Sequence, residues 1–216
     1  MSICKTAVVT CPECKKDFEV VYWDSLNGNL NPKEKEKLLE GNLFKYKCEH
    51  CGNIIPVFYN VLYHDISNQA MIWFSDEENV DKVYEGIELA KSQFSDVYAD
   101  GDYKFRIVFD HNDLREKALI IDNGLDDRVI EIIKIMYEVM GEKDYSNEEI
   151  KKMYFDIDNG EYILVFFLKS GGILTSKISE DFYNMIENKY RNTIEEKSEN
   201  EYVINRAWAI EFFENQ

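Results

Sequence analysis

Proline and glycine are scarce in this chain, 3 and 10 residues among 216. With so few breakers beside 45% hydrophobic and 14% aromatic residues, neither collagen-like repetition nor low-complexity disorder describes it. No apolar run approaches the roughly 20 residues of a bilayer span, and the start Met1-Ser2-Ile3-Cys4-Lys5 lacks the apolar block of a secretory signal. A cytoplasmic protein without membrane association is expected. Positive charge is also short, with 25 Lys+Arg against 42 Asp+Glu, a net charge of −17 and a pI near 4.6. Such a surface repels phosphate backbones and anionic lipid, so nucleic acid is not an expected partner. The signatures GxSxG, HExxH, the P-loop and GxGxxG are all missing, which leaves nucleophile, zinc-protease, phosphate-loop and dinucleotide chemistry without a sequence handle.

Cysteine is uncommon but patterned. Five thiols are an odd number for a disulfide framework, and four of them form two CxxC pairs, Cys11-Pro12-Glu13-Cys14 and Cys48-Glu49-His50-Cys51. Two residues between thiols let one tight turn present both sulfurs to one ion, and two such turns complete a tetrahedron. Pro12 fixes a turn dihedral, and Gly52 can supply a positive φ that aims backbone N–H groups at the sulfurs. The expected ligands are Cys11, Cys14, Cys48 and Cys51 around one structural Zn2+ at about 2.3 Å, in a closed site. The competing readings are a redox CxxC, disfavoured because a strand-like stretch rather than a helix follows Cys14, and an iron–sulfur cluster. Cys4 reads as a spectator and His50 as an exposed knuckle residue.

With 216 residues the chain is one large domain or two small ones. Residues 1–60 hold eight lysines and eight acids, so the whole net charge lies behind them, with 17 basic against 34 acidic residues. Val8 and Val9, then Phe18, Val20 and Tyr22, alternate as strands do. Asn31-Pro32 caps a charged helix over Lys33–Glu40 that Gly41 stops. Leu43–Lys47, Ile54–Tyr63, Gln69–Phe74 and Lys104–Phe109 are further extended stretches. Ser75 with Glu78 predicts a helix to about Gln93, Asn112 or Asp113 one to Ile121, and Asp126-Asp127 an apolar one to Met140. Asn159-Gly160 and Gly171-Gly172 divide residues 150–178 into a three-stranded meander. Ser179 caps a helix, Asn192–Asn200 reads as an exposed polar stretch, and Asn205 caps a final helix. The fold class is therefore α+β. A β-rich zinc-ribbon domain with helical elaborations occupies 1–141, and a small antiparallel-sheet-plus-helix domain occupies 142–216, with the boundary near Gly141–Asn147.

The two knuckles, the first written Cys-Pro-Glu-Cys, and the later segments Leu114-Arg115-Glu116-Lys117 and Gly124-Leu125-Asp126-Asp127-Arg128-Val129-Ile130-Glu131 resemble the CpXC domain, a bacterial family. The likeness covers roughly residues 8–140. It implies a zinc-stabilised domain and supplies no reaction.

Candidate chemistry outside the cysteines is thin. Asp126, Asp127 and Glu131 could serve a hydrolase or transferase, with or without a labile cation. The plainer reading makes them helix-dipole acids, with Arg128 pairing to Glu131 and Glu131 to Lys134. His64 and His111 read as turn residues. Tyr22, Trp23, Phe44, Tyr46, Phe58, Tyr59, Tyr63, Trp73 and Phe74 could stack bases but at strand spacing read as core. A nucleic-acid role would need Lys15, Lys16, Lys33, Lys35 and Lys37 on one face. The favoured function is a cytoplasmic protein-interaction or regulatory module, for whose net charge a basic target surface would suit.

Overall fold

The computed structural model describes residues 1–93, 103–144 and 150–214. Packing divides the chain into two compact units, Met1–Ala118 and Leu119–Gln216.

In the first unit, β1 (Ile3–Thr10) and β2 (Asp17–Asn27) form an antiparallel pair, and β2 continues into a five-stranded sheet of order β1-β2-β5-β6-β7. After β2 come β5 (Val61–Asp65) and β6 (Ala70–Phe74) inside the sheet and β7 (Lys104–Val108) at its far edge. β2 runs parallel to β5 only over Ser25–Asn27, β5 antiparallel to β6, and β6 parallel to β7. Alternation sets the buried face, with Phe18 and Val20 inward on β2, then Val61, Tyr63 and Asp65 on β5. A separate hairpin of β3 (Lys45–Lys47) and β4 (Ile54–Pro56) carries the second cysteine loop.

Helix α1 (Pro32–Leu39) has Pro at its first turn and buries Leu38. Asn31 precedes it but does not cap it, because its side-chain oxygen accepts from the Ser2 hydroxyl instead. Gly41 follows at φ +71. Helix α2 (Val80–Gln93) is entered through a short 3-10 turn whose cap is Asp76, accepting from the Asn79 N–H, rather than the expected Ser75. Helix α3 (His111–Asp122) is capped by Asp110, whose carboxylate takes the Asn112 N–H at 2.8 Å. Asn112 and Asp113 therefore lie inside it.

The second unit holds α4 (Asp127–Asp144), the antiparallel meander β8 (Ile150–Asp158), β9 (Glu161–Leu168) and β10 (Ile173–Lys177), then α5 (Glu180–Lys197) and α6 (Arg206–Glu214). Val129, Ile130, Ile132 and Ile133 of α4 are fully buried in one core with Phe155, Leu164, Ile186, Trp208 and Phe212. This is why packing divides the chain about twenty residues before the expected boundary at Gly141–Asn147. Helix α4, assigned from sequence to the metal-bearing part, shares its apolar face with the meander and α5. Residues 145–149, within and just after that expected boundary, lie outside the described residues. Helix α5 also extends through most of the stretch expected to be exposed, since Ile194 continues its apolar face and is 2% exposed. Mixed helix and sheet in each unit bear out the α+β class.

Candidate metal centre

Strand β1 ends one residue before Cys11, and β2 begins three after Cys14, so the β1–β2 turn is the first knuckle. The β3–β4 turn is the second. In the first, the Lys15 N–H donates to the Cys11 carbonyl and the Cys11 N–H to the Lys16 carbonyl, both at 3.0 Å. In the second, the Gly52 N–H donates to Cys48 at 2.9 Å and the Cys48 N–H to Asn53 at 2.8 Å. The two loops thus repeat one hydrogen-bond pattern. The residue after each second cysteine has positive φ, +79 at Gly52 and +59 at Lys15. Only Gly52 was legible as such a position, because glycine advertises it and lysine, which takes it at a cost of about 1 kcal/mol, does not.

The four sulfurs converge. Cys11 Sγ lies 3.6 Å from Cys51 Sγ and Cys14 Sγ 3.7 Å from Cys48 Sγ, and all four ligand atoms fall within 4.8 Å of one another. Those pairs are far beyond the roughly 2.05 Å of a disulfide. A tetrahedron with arms of about 2.3 Å has edges of about 3.8 Å, so the spacing fits one thiolate-bound ion. Cys11 and Cys48 are buried, Cys14 half-buried and Cys51 exposed. Phe18, Val20 and Ile55 back the cluster with apolar surface.

The sulfurs differ as acids. The Cys14 N–H aimed at Cys11, helped by that of Glu13 and opposed by burial, brings the Cys11 thiol down to about 7. At Cys51 the Asn53 N–H pulls down, but burial and the sulfurs of Cys11, Cys48 and Cys14 outweigh it and push the thiol up to about 12. Four thiolates cannot coexist in this space without a cation, and a metal that replaces the protons removes the conflict.

The other expected site residues do not join the cluster. Cys4 is exposed on β1 opposite Trp23. His50 donates from Nε2 to the Asp17 carbonyl at 2.9 Å, tying the second knuckle to β2. His64 lies within β5 against the Tyr103 hydroxyl, its pKa held below the usual value mainly by burial. His111 opens α3 and packs on the Phe58 ring at 4.2 Å. The aromatics of the first unit largely pack on one another: Phe44 touches Phe58, Tyr59 and Phe74, and Tyr22 touches Tyr59. Of the five lysines proposed for a basic face, Lys35 is drawn inward to Asp65 at 2.8 Å.

Asp126, Asp127 and Glu131 all fall at the start of α4. Asp126 Oδ1 accepts the Arg128 N–H at 2.9 Å, and its carboxylate grips the Arg128 guanidinium through Nε at 3.0 Å and Nη2 at 2.6 Å. Arg128 also reaches Glu195 at 2.9 Å, so it does not pair with Glu131 as expected. Burial works against its charge, and the two carboxylates more than compensate, raising its pKa. Glu131 pairs with Lys134 at 3.1 Å, as expected, and Asp127 is fully buried.

The sequence matches the CpXC protein family over residues 9–134, more than half of the chain and all four cysteines. The chain belongs to the CpXC protein family. The match begins inside β1 and ends inside α4, leaving the meander, α5 and α6 outside it. No curated protein and no solved structure matches the chain significantly. Among the described residues, no helix is long and apolar enough to cross a membrane. The cysteines of this CpXC protein can hold a metal ion. The feature that sequence reading missed is a cleft at the β2 edge beside the second knuckle, lined by Trp23, Lys45 and Lys47. Its only trace in the sequence is the alternation Lys45-Tyr46-Lys47.

Proposed function

We propose that this CpXC protein is a cytoplasmic protein-interaction or regulatory module, stiffened by one structural Zn2+ on Cys11, Cys14, Cys48 and Cys51. The observation that carries the reading is the convergence of four cysteine sulfurs with contacts of 3.6 and 3.7 Å. A site closed by four protein thiolates keeps no position for water or substrate, so the ion's work is to hold two loops together. The four ligands join segments 33 residues apart between Cys14 and Cys48, and fixing them orients the β3–β4 hairpin against β2. The carboxylates of Asp126 and Glu131 serve Arg128 and Lys134, which gives the alternative hydrolase or transferase reading no support.

Metal analysis of the purified protein tests the zinc: about one zinc per chain is expected, and Cys48→Ser should lose it together with the folded signal of the first unit. Iron, no metal, or an unchanged melting profile in Cys48→Ser would overturn it. For the module, affinity capture from native lysate should give a stoichiometric protein partner with wild type and none with Cys48→Ser.

A further inference from the structure

Strand β1 borders the five-stranded sheet: it pairs with β2 and, among the described residues, with no strand on its other side. The β1–β2 register fixes which of its backbone groups face that side. Thr10 lies opposite Asp17, and one step on, the Cys11 N–H donates to the Lys16 carbonyl at 3.0 Å. Bonded and non-bonded positions alternate in an antiparallel pair, so Val9, Ala7 and Lys5 are the residues bonded to Phe18, Val20 and Tyr22. The Val21 and Asp17 carbonyls, which the same alternation turns away from β1, are taken by the Tyr46 hydroxyl and His50. The N–H and C=O groups of Cys4, Thr6, Val8 and Thr10 therefore turn outward, and all four residues are exposed.

Proteins ordinarily blunt such an edge with charge, proline or brevity. The other sheet borders of this chain do so. Strand β7 carries Lys104 and a buried Arg106, and β8 carries Lys151, Lys152, Asp156 and Asp158. Strand β10 has five residues and ends in Lys177, and β3 and β4 have three each, with Pro56 in β4. Strand β1 has eight residues, Ile-Cys-Lys-Thr-Ala-Val-Val-Thr, and its one charge, Lys5, is matched by Asp24 at 2.5 Å. Val8 stands 63% exposed beside the outward groups. This edge is long, β-branched and neutral, so it offers nothing to a charged peptide and favours a strand of its own kind.

We propose that the occupant is β1 of a second copy of this chain, paired antiparallel about a two-fold axis at Ala7 and joining two five-stranded sheets into one. In that register Thr6 faces the partner's Val8 and Cys4 faces the partner's Thr10, and the reverse holds across the axis. No other two-fold register matches all four outward residues. Thr6 and Val8 also meet as β-branched side chains on the exposed face. Lys5 falls opposite the partner's Val9, four residues along from the partner's Lys5, or roughly 14 Å at 3.4 Å per residue. That exceeds the screening length of about 8 Å. Residues 1–60, with eight lysines and eight acids, are formally neutral, so the net −17 lies outside the segment that carries the contact. The pairing uses the side of β1 away from β2 and the second knuckle, and it goes beyond the module reading without depending on it.

The test measures the mass of the full metal-loaded chain by analytical ultracentrifugation, with metal content and melting profile read alongside. Wild type is expected at about twice 25.5 kDa. Thr6→Lys with Val8→Lys sets like charges against each other across the axis, and Thr6→Glu with Val8→Glu does so with the opposite sign. Each double variant should be a monomer with unchanged metal content, and an equimolar mixture of the two should recover the dimer, which misfolded chains would not do. Val8→Pro, which removes an outward N–H and no bond to β2, should weaken association at least tenfold while the metal stays bound. A wild type that remains monomeric to about 100 μM, a dimer that persists in both charged variants, or a mixture that stays monomeric would overturn the proposal. So would a monomeric wild type that captures a different protein and loses it with Val8→Pro, since the edge would then belong to that protein.

Discussion

Asp65 shows how one buried charge is held. It is 1% exposed, with Lys35 Nζ at 2.8 Å, the Tyr63 hydroxyl at 3.2 Å, and the Asn68 backbone and amide N–H groups at 3.2 and 3.1 Å. Burial alone would push its carboxyl up. The Lys35 ammonium and the Asn68 donors more than reverse that and hold the carboxyl below the usual carboxylate range. A depressed acid stabilises the fold fully above its unfolded pKa and loses that contribution as pH falls through the folded one. Asp65→Asn should therefore cost about 2 kcal/mol at pH 7, less than a wholly buried pair because Lys35 is one-fifth exposed. The gap to wild type should close as pH drops below about 4. Urea melts of both proteins between pH 3 and 7 would check this, and a gap that stays constant or widens in acid would refute it. Beside this group, a Cβ on Gly28 would sit 2.7 Å from the Tyr63 hydroxyl, so Gly28→Ala should lose about 1–2 kcal/mol by overpacking in the same melts. None of this was legible beforehand: Lys35 stood only among the five lysines that a nucleic-acid role would need and Asp65 was not singled out, because their pairing spans 30 residues.

At the scale of the element, local punctuation did most of the specifying. Helix α3 ends where Gly124 takes φ +71, with its N–H on the Ile121 carbonyl at 3.0 Å and the Leu125 N–H on Ile120 at 3.1 Å. Nothing lies within 4 Å of a Cβ placed there, so Gly124→Ala should lose about 1 kcal/mol purely through backbone strain, and Gly124→Asn should recover part of it. Equal thermal midpoints for wild type and Gly124→Ala would refute that. The Asn159-Gly160 turn was legible for the same reason, with φ of +51 and +80 turning β8 into β9. Caps were less legible wherever several capping residues adjoin. Asp76 rather than Ser75 starts the turn into α2, and Asp110 rather than Asn112 or Asp113 caps α3, since each candidate offers a similar oxygen and the strand before it decides which one arrives in place. Ser179 and Asn205 had no such rivals, and their side chains accept the Phe182 N–H and the Trp208 N–H as expected.

On the scale of the whole molecule, the cluster of four cysteines could be read because both loops encode themselves in four residues each, whereas the division into units could not, because it depends on which neighbours receive the apolar face of α4. The two units also differ in what stabilises them. Around the cysteines the buried apolar group is Phe18, Val20 and Ile55 with the sulfur-bearing residues themselves, a small cluster for holding two loops, to which an ion bound by the four sulfurs would add on the order of 10 kcal/mol. The second unit is filled by side chains of α4, the meander, α5 and α6 and needs no ligand to exclude water. Tryptophans report the difference. Trp23 and Trp73 lie in the first unit; Trp208, 8% exposed with its indole N–H on the Lys197 carbonyl at 3.4 Å, lies in the second. Stripping the metal with a chelator should shift wild-type emission to the red, while the full chain carrying Trp23→Phe and Trp73→Phe, in which only Trp208 emits, should keep its spectrum. A red shift of Trp208 in step with metal loss would mean that the stabilising reach of the ion extends over both units.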